Sequence, residues 1–523
     1  MLPKKKNIIV AGFFILLLGL GLTIYKDYGI AWDEGAQRRI GEKVFDYVIK
    51  GDRFLLTFAD KYYGTAVEIP LMMVEKVLKL DNFRSVFLMR HLATFLFFYV
   101  GVFFFYLLVK NRLQSWKWGL LGSLLLVLSP RIFADSFYNS KDIPFLSVFI
   151  IGIYALVDFL AKKNYSRAIS LGIINALLID IRIGGIFLSF LTLLIVIIEL
   201  LSVKKITNNH KPFLACFLIY FFFLVIFTVL FWPILWNNPA SNFINAISKM
   251  KHYNWDLEVL YLGQYLKPYR LPWHYIPVWI GITTPFIYIL LFFSGILAFI
   301  IDFIKNLGHF YPKLKNDLIF VLWFFLPLLS VISLRSVLYD GWRQMYFIYP
   351  AFLLIALIGL NNLRQFIQIK FRGTSYKIIS FVLIFALTLS LLDTAFFMIR
   401  YHPFQNVFFN RLTVLILGEV RDKFELDYWG LSYRQALEYI LKNDNGRIIK
   451  VCAANYPGKF NANIFKPEEK SRLKFVDKPE EAKYFLSNYR WHREDYPYKN
   501  KVYSIRVRGT EILTVYKMNA DDV

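Results

Sequence analysis

A chain of 523 residues with 57% hydrophobic side chains and a mean hydropathy of +0.46 is not an ordinary soluble domain. Its net charge of +24 would suggest nucleic acid in a soluble protein. Here much of that charge lies in short loops between apolar runs, where membrane topology accounts for it, and no nucleic-acid partner is expected. Cys216 and Cys452 are the only cysteines, and the seven histidines form no HxxxH or HExxH spacing, so neither a disulfide framework nor a thiolate or histidine metal site is read.

Met1–Lys6 followed by apolar residues to about Tyr25 reads as an uncleaved first span, its N-terminus in the cytoplasm. Further apolar runs follow near 86–109, 118–133, 144–160, 168–181, 183–203, 212–235, 276–301, 318–335, 344–361 and 378–397, giving about eleven spans in a polytopic α-helical membrane protein. With the N-terminus inside, the inner segments 1–7, 110–117, 161–167, 204–211, 302–317 and 362–377 carry nineteen Lys and Arg against only Asp302 and Asp317. That is the bias a cytoplasmic face should show.

The first outer segment, about 27–85, is too long for a turn. Within it Ile40, Val44, Phe45, Val48 and Ile49 repeat at helical spacing, as do Ile69, Met72, Met73, Val77 and Leu80, predicting two amphipathic surface helices. The third outer segment, about 236–275, is rich in Trp, Tyr, Asn and Pro and suits the headgroup level. From about Tyr401 the composition turns polar. Ser432–Leu441 reads as a helix, and Ile448–Ala453, Leu473–Val476, Tyr484–Ser487, Val502–Val507 and Ile512–Tyr516 read as strands. The expected organisation is a membrane domain over 1–400 and a small outer α/β domain over 401–523, without a catalytic group of its own.

Charged residues beside apolar helices are the candidates for chemistry. Asp33 and Glu34 follow the first span. Asp33 is either an N-cap for the next helix or a general base whose basicity apolar neighbours can raise. Arg131, Asp135, Asn139, Lys141 and Asp142 fall within twelve residues between two spans. Such an array can bind an anionic headgroup, with Arg and Lys on phosphate oxygens. Arg182 interrupts a long apolar stretch beside Gly184 and Gly185, with Asp180 as its nearest acidic neighbour in sequence. An intramembrane Arg normally faces a partner or a wet cavity. Tyr339-Asp340-Gly341-Trp342-Arg343 reads as a tight turn that delivers Arg343 to the same face as Asp33 and Asp142.

The Asp-Glu pair after the first span, the long first outer loop and the second acidic site in Ser129–Pro144 resemble the GT-C superfamily of integral-membrane glycosyltransferases, in particular its protein O-mannosyltransferase and aminoarabinose-transferase branch. Tyr339–Pro350 and Phe424–Tyr433 resemble segments of bacterial members. The resemblance implies a polyprenyl-phosphate-linked sugar donor, direct transfer with inversion, and a lipid, glycan or protein acceptor on the outer face of a bacterial cytoplasmic membrane. It makes Asp33 the catalytic base and Asp142 a second acidic residue that orients acceptor or donor, with Glu34 beside Asp33 as a further catalytic candidate. Arg131, Asn139, Lys141, Arg182, Tyr339 and Arg343 are expected to bind the donor phosphate or substrate. Relatives differ in their need for a divalent cation such as Mg or Mn, and no ligand cluster decides the point in this sequence. A secondary transporter or lipid flippase is the alternative, since intramembrane Arg and a broken helix also occur in carriers.

Overall fold

The computed structural model describes residues 3–202, 210–251, 255–306 and 310–518, so most of the inner segment expected at 204–211 lies outside the described residues. Among them, nine helices are long and apolar enough to cross a membrane, or ten if the pair Trp116–Val127 and Pro130–Tyr138, bent by 71°, is one span. The run at 168–181 is the helix Tyr165–Ile181. Its 17 residues reach about 26 Å at ~1.5 Å per residue, short of the ~30 Å hydrocarbon core, which is why it falls below the others. The run at 276–301 divides into Tyr275–Thr283 and Phe286–Lys305. Pro285 disfavours helical backbone at the preceding residue, and Thr284 is extended at φ −102°, ψ 139°.

Helix contacts follow side-chain size. Phe286–Lys305 and Tyr349–Lys370 approach so closely that a Cβ on Gly295 would lie 2.1 Å from the Ile355 carbonyl oxygen, and one on Gly359 2.3 Å from that of Leu291. Small residues allow such contact in a bundle where lipid supplies no hydrophobic drive between helices. Ion pairs agree with the alternation of spans. Arg112 pairs with Asp317, and Lys163 and Lys315 both reach Glu199, all from ends expected inside. Asp33, Asp142 and Arg343, expected outside, meet one another.

The first outer segment forms the helices Glu34–Lys50 and Glu68–Val77, as its periodicity predicts. They pack at Gly41, where a Cβ would sit 3.0 Å from Glu68 and 3.1 Å from Met72. The buried pair Arg90–Glu68 and the half-buried pair Arg38–Glu75 tie Glu68–Val77 to its neighbours. A short hairpin in the third outer segment, β1 (Val259–Tyr261) with β2 (Gln264–Leu266), was not legible in the sequence.

The C-terminal region holds the helix Tyr433–Asn443 and five strands, β3 (Ile449–Ala453), β4 (Leu473–Phe475), β5 (Tyr484–Ser487), β6 (Lys501–Val507) and β7 (Thr510–Lys517). The sheet order is β4-β3-β5-β7-β6, with β3 parallel to β4 and β5, and β7 antiparallel to β5 and β6. Arg508 and Gly509, both at positive φ, close the β6–β7 hairpin in the form its right-handed twist favours. The polar shift at Tyr401 is not an edge in the packing. Phe404, Val407, Phe408, Phe424 and Trp429 are buried in the same core as the membrane helices.

Candidate active site

Three acidic residues from distant parts of the chain converge on one guanidinium. Asp33 precedes the helix Glu34–Lys50, at the N-cap position, but its side chain makes no cap hydrogen bond. Its Oδ2 instead lies 3.1 Å from Arg343 Nη2. Asp142 opens the helix Asp142–Lys162, and the capping there belongs to Asn139, whose Oδ1 accepts from the Asp142 amide at 2.9 Å. The Asp142 carboxylate is thereby left for cations, with Arg182 Nη1 at 2.8 Å and Arg343 Nη1 at 3.2 Å. Asp340 is the third, 3.2 Å from Arg343 Nη2. The Asp340-Gly341 turn that places it has positive φ at both residues, the conformation expected of an Asp-Gly pair.

Arg343 is buried against the faces of Trp429 and Tyr339, at 4.7 and 5.2 Å from their ring centroids. The Tyr339 ring stacks in turn on Trp255, with centroids 4.1 Å apart. Arg182 ends the helix Tyr165–Ile181 in extended backbone, and the turn Ile183–Gly185 redirects the chain. Its partner is Asp142, not Asp180. Asp180 accepts the Thr65 amide at 2.9 Å, and a Cβ on Gly64 would come within 1.2 Å of the Asp180 carbonyl oxygen. That junction thus fixes the loop before Glu68–Val77 against the membrane helices.

A cavity of about 310 Å³ opens beside these groups, lined by Asp33, Lys141, Arg182, Tyr339 and Arg343 at its polar end. Ile183, Phe187, Val331, Leu338 and Phe347 make up much of the rest, with Gln37, Asp60, Ser336 and Gln344 as polar interruptions. Lys141 Nζ sits 3.5 Å from the centroid of the Tyr63 ring. Burial, reinforced by the nearby Arg182 guanidinium, holds the Lys141 ammonium well below the usual lysine range. An anion entering here would meet Arg182, Lys141 and Arg343 together.

Three expected site residues are turned elsewhere. Glu34 is buried; its Oε2 accepts the Ala31 amide at 2.7 Å and lies 3.2 Å from His91 Nε2, so it braces the turn rather than facing the cavity. Arg131 donates from Nε to the Phe408 carbonyl and packs on the Trp279 and Phe409 rings, away from the cavity lining. Asn139 donates its amide to both Asp135 and Asp142 and is buried beneath them. These are supports for the site, not ligands of a phosphate. Sequence reasoning also gave no role to Trp429, whose Nε1 donates to Asp135 at 3.2 Å while its ring covers Arg343.

No group of three or more His, Cys, Asp or Glu among the described residues is placed to hold a metal ion. Between Asp33, Asp142 and Asp340 the Arg343 guanidinium occupies the position a bridging cation would take, so this donor set does not fit a divalent ion.

Residues 75–232 match the sequence model of the family described as dolichyl-phosphate-mannose-protein mannosyltransferase. No curated protein matches the chain. Among solved structures, ArnT from Cupriavidus metallidurans in the apo state shares the fold at a TM-score of 0.51 and 12% identity, over 98% of this chain and 99% of that one. The apo oligosaccharyltransferase of Archaeoglobus fulgidus aligns at a TM-score of 0.49 and 9% identity, over 90% of this chain and 65% of that one. The chain thus shares the fold of ArnT, and its residues 75–232 resemble the mannosyltransferase family, in keeping with the resemblance read from the sequence. Its apolar helices of membrane-crossing length make it a multi-pass membrane protein.

Proposed function

We propose that this protein transfers a sugar from a polyprenyl-phosphate-linked donor to a lipid, glycan or protein acceptor on the outer face of a bacterial cytoplasmic membrane, with inversion at the anomeric carbon. The observation that carries the reading is the meeting of Asp33 and Asp142 on Arg343 at the polar end of a cavity whose remaining lining is mostly apolar. A lipid phosphate needs that combination: cations for its oxygens and hydrocarbon walls for its chain.

In this reading the donor phosphate seats against Arg182, Lys141 and Arg343, drawing Arg343 from Asp33. The freed Asp33 takes the proton of the acceptor hydroxyl or amine as that atom attacks the anomeric carbon. The bond from the anomeric carbon to the phosphate oxygen breaks, and a single displacement inverts the centre. Polyprenyl phosphate leaves with added negative charge, which fixed cations stabilise more in the transition state than in the ground state. A general base at this position typically contributes ~10²–10⁴-fold.

Mass spectrometry of surface glycans and lipids from a strain lacking the protein tests the reading. One sugar unit should disappear, return with the wild-type protein, and stay absent with Asp33→Asn. An unchanged profile on deletion contradicts the assignment.

A further inference from the structure

The C-terminal α/β unit reaches the site through the side chain of Arg490. We propose that Arg490 is a positioning residue of the active site: by holding Asp340 it keeps Arg343 shared with Asp33 and Asp142, poised for a lipid phosphate. The assignment rests on the functional reading above.

Arg490 follows β5, and its side chain is 3% exposed. Its Nη2 lies 2.6 Å from Asp340 Oδ1, while the other oxygen of that carboxylate faces Arg343 Nη2 at 3.2 Å. Its Nη1 donates to the Tyr428 carbonyl at 2.6 Å, next to the Trp429 that covers Arg343. The guanidinium also stacks on Trp32, 4.9 Å from the centroid, one residue before Asp33. The Trp32 amide donates to the Trp429 carbonyl at 3.0 Å. Arg490 therefore braces two sides of Arg343 and the segment that carries Asp33.

The backbone around Arg490 is constrained to deliver it. Tyr489 and Trp491 have φ of 60° and 61°, a region bulky side chains adopt only when surrounding contacts impose it. Those contacts are present. The Tyr489 hydroxyl meets Thr514 Oγ1 at 2.6 Å, Trp491 Nε1 donates to the Glu258 carbonyl, and Asn488 donates to the Asp427 carbonyl.

Charge explains why the contact matters. Asp340 and Asp142 are buried, and each has a second guanidinium besides Arg343: Arg490 for the first, Arg182 for the second. Without Arg490, Asp340 would have Arg343 alone among the described residues. A buried carboxylate in a low-dielectric site pulls hard on its remaining counter-ion. Arg343 would shift toward Asp340 and away from the cavity.

The test uses full-length protein in detergent and compares wild type with Arg490→Gln, Asp340→Asn and the double variant. A polyprenyl phosphate serves as the probe, its Kd measured beside the thermal midpoint of each protein. We expect Arg490→Gln to weaken binding by about tenfold or more, and the double variant to bind within about threefold of Asp340→Asn alone. A purely structural Arg490 would not be rescued by neutralising Asp340. Where Arg490→Gln fails to accumulate, the comparison of the double variant with Asp340→Asn still decides. Binding by Arg490→Gln equal to wild type overturns the assignment, as does a double variant more than about tenfold weaker than Asp340→Asn. A wild type that binds no polyprenyl phosphate overturns the functional reading on which it rests.

Discussion

Three carboxylates crowd Arg343, and their second partners separate their roles. Asp142 has Arg182 and Asp340 has Arg490, whereas Asp33 has Arg343 alone among the described residues and is 36% exposed at the cavity. Asp33 is thus the carboxylate that an arriving phosphate can release for proton transfer. Lys141 gives a second expectation at this scale. Its folded pKa lies below the lysine value because burial disfavours the charge, and a bound anion would favour it again. Binding of a polyprenyl phosphate, measured at a pH above the folded Lys141 pKa, should therefore take up as much as about one proton. Titration calorimetry in two buffers of different ionisation enthalpy measures it; equal heats would contradict the expectation, and Lys141→Gln should abolish the uptake. Glu425 is buried, and burial pushes it from 4.5 up to about 8, which the nearby Arg490 and the Leu260 backbone only partly offset. Because the folded chain keeps a proton that the unfolded chain has lost, stability should fall as pH rises from 4.5 to about 8. Glu425→Gln should remove that slope from the thermal midpoint, and a slope unchanged by the substitution would contradict it. Asp33, Asp142, Arg182 and Arg343, which the structure brings together, stood out in the sequence because charge is costly beside apolar helices. Glu34, Arg131 and Asn139 were misplaced because neighbours in a helix point in different directions, a fact that proximity in sequence conceals.

At the scale of elements, the start of the helix Glu34–Lys50 depends on Glu34. Removing its carboxylate leaves the buried Ala31 amide without its acceptor and His91 Nε2 without its partner. Glu34→Ala should cost about 1–3 kcal/mol of stability. Polyprenyl-phosphate affinity should change little, and an unchanged midpoint with lost affinity would instead make Glu34 part of the binding site. Strands β3 to β7 were legible because each is a short β-branched or aromatic run between turn residues. The β1–β2 hairpin was not, since three-residue strands within an aromatic loop carry no period of two long enough to read. Residues 401–431 hid their burial for a different reason. Their apolar side chains pack irregularly into the helical core, around the 3-10 turn Gln405–Val407, so no periodicity marks them. Arg490 had no signal at all, being one of many cations in a polar tail and joined to Asp340 only by the tertiary fold.

For the whole molecule, the positive bias of alternate segments and the ion pairs of the structure give the same sorting of helix ends. Arg112 meets Asp317 and Lys315 meets Glu199 at one end, while Arg343 gathers Asp33, Asp142 and Asp340 at the other. Single cysteines at Gln114 and Gln365, in a chain freed of Cys216 and Cys452, should be protected from an impermeant thiol reagent in intact cells, and one at Asp495 labelled. The opposite pattern would reverse the topology. The C-terminal sheet shares one core with the helices and sends Arg490 to the site, so it is part of the machinery that sets the geometry of Arg343. The central claim is that Asp33 takes the proton while the cations beside it hold the phosphate. The most direct measurement compares wild type and Asp33→Asn for polyprenyl-phosphate binding and for transfer from a polyprenyl-phosphate-linked sugar in the same preparation. The account predicts binding within about threefold of wild type and transfer reduced at least about 10²-fold. Transfer by Asp33→Asn at the wild-type rate would contradict it.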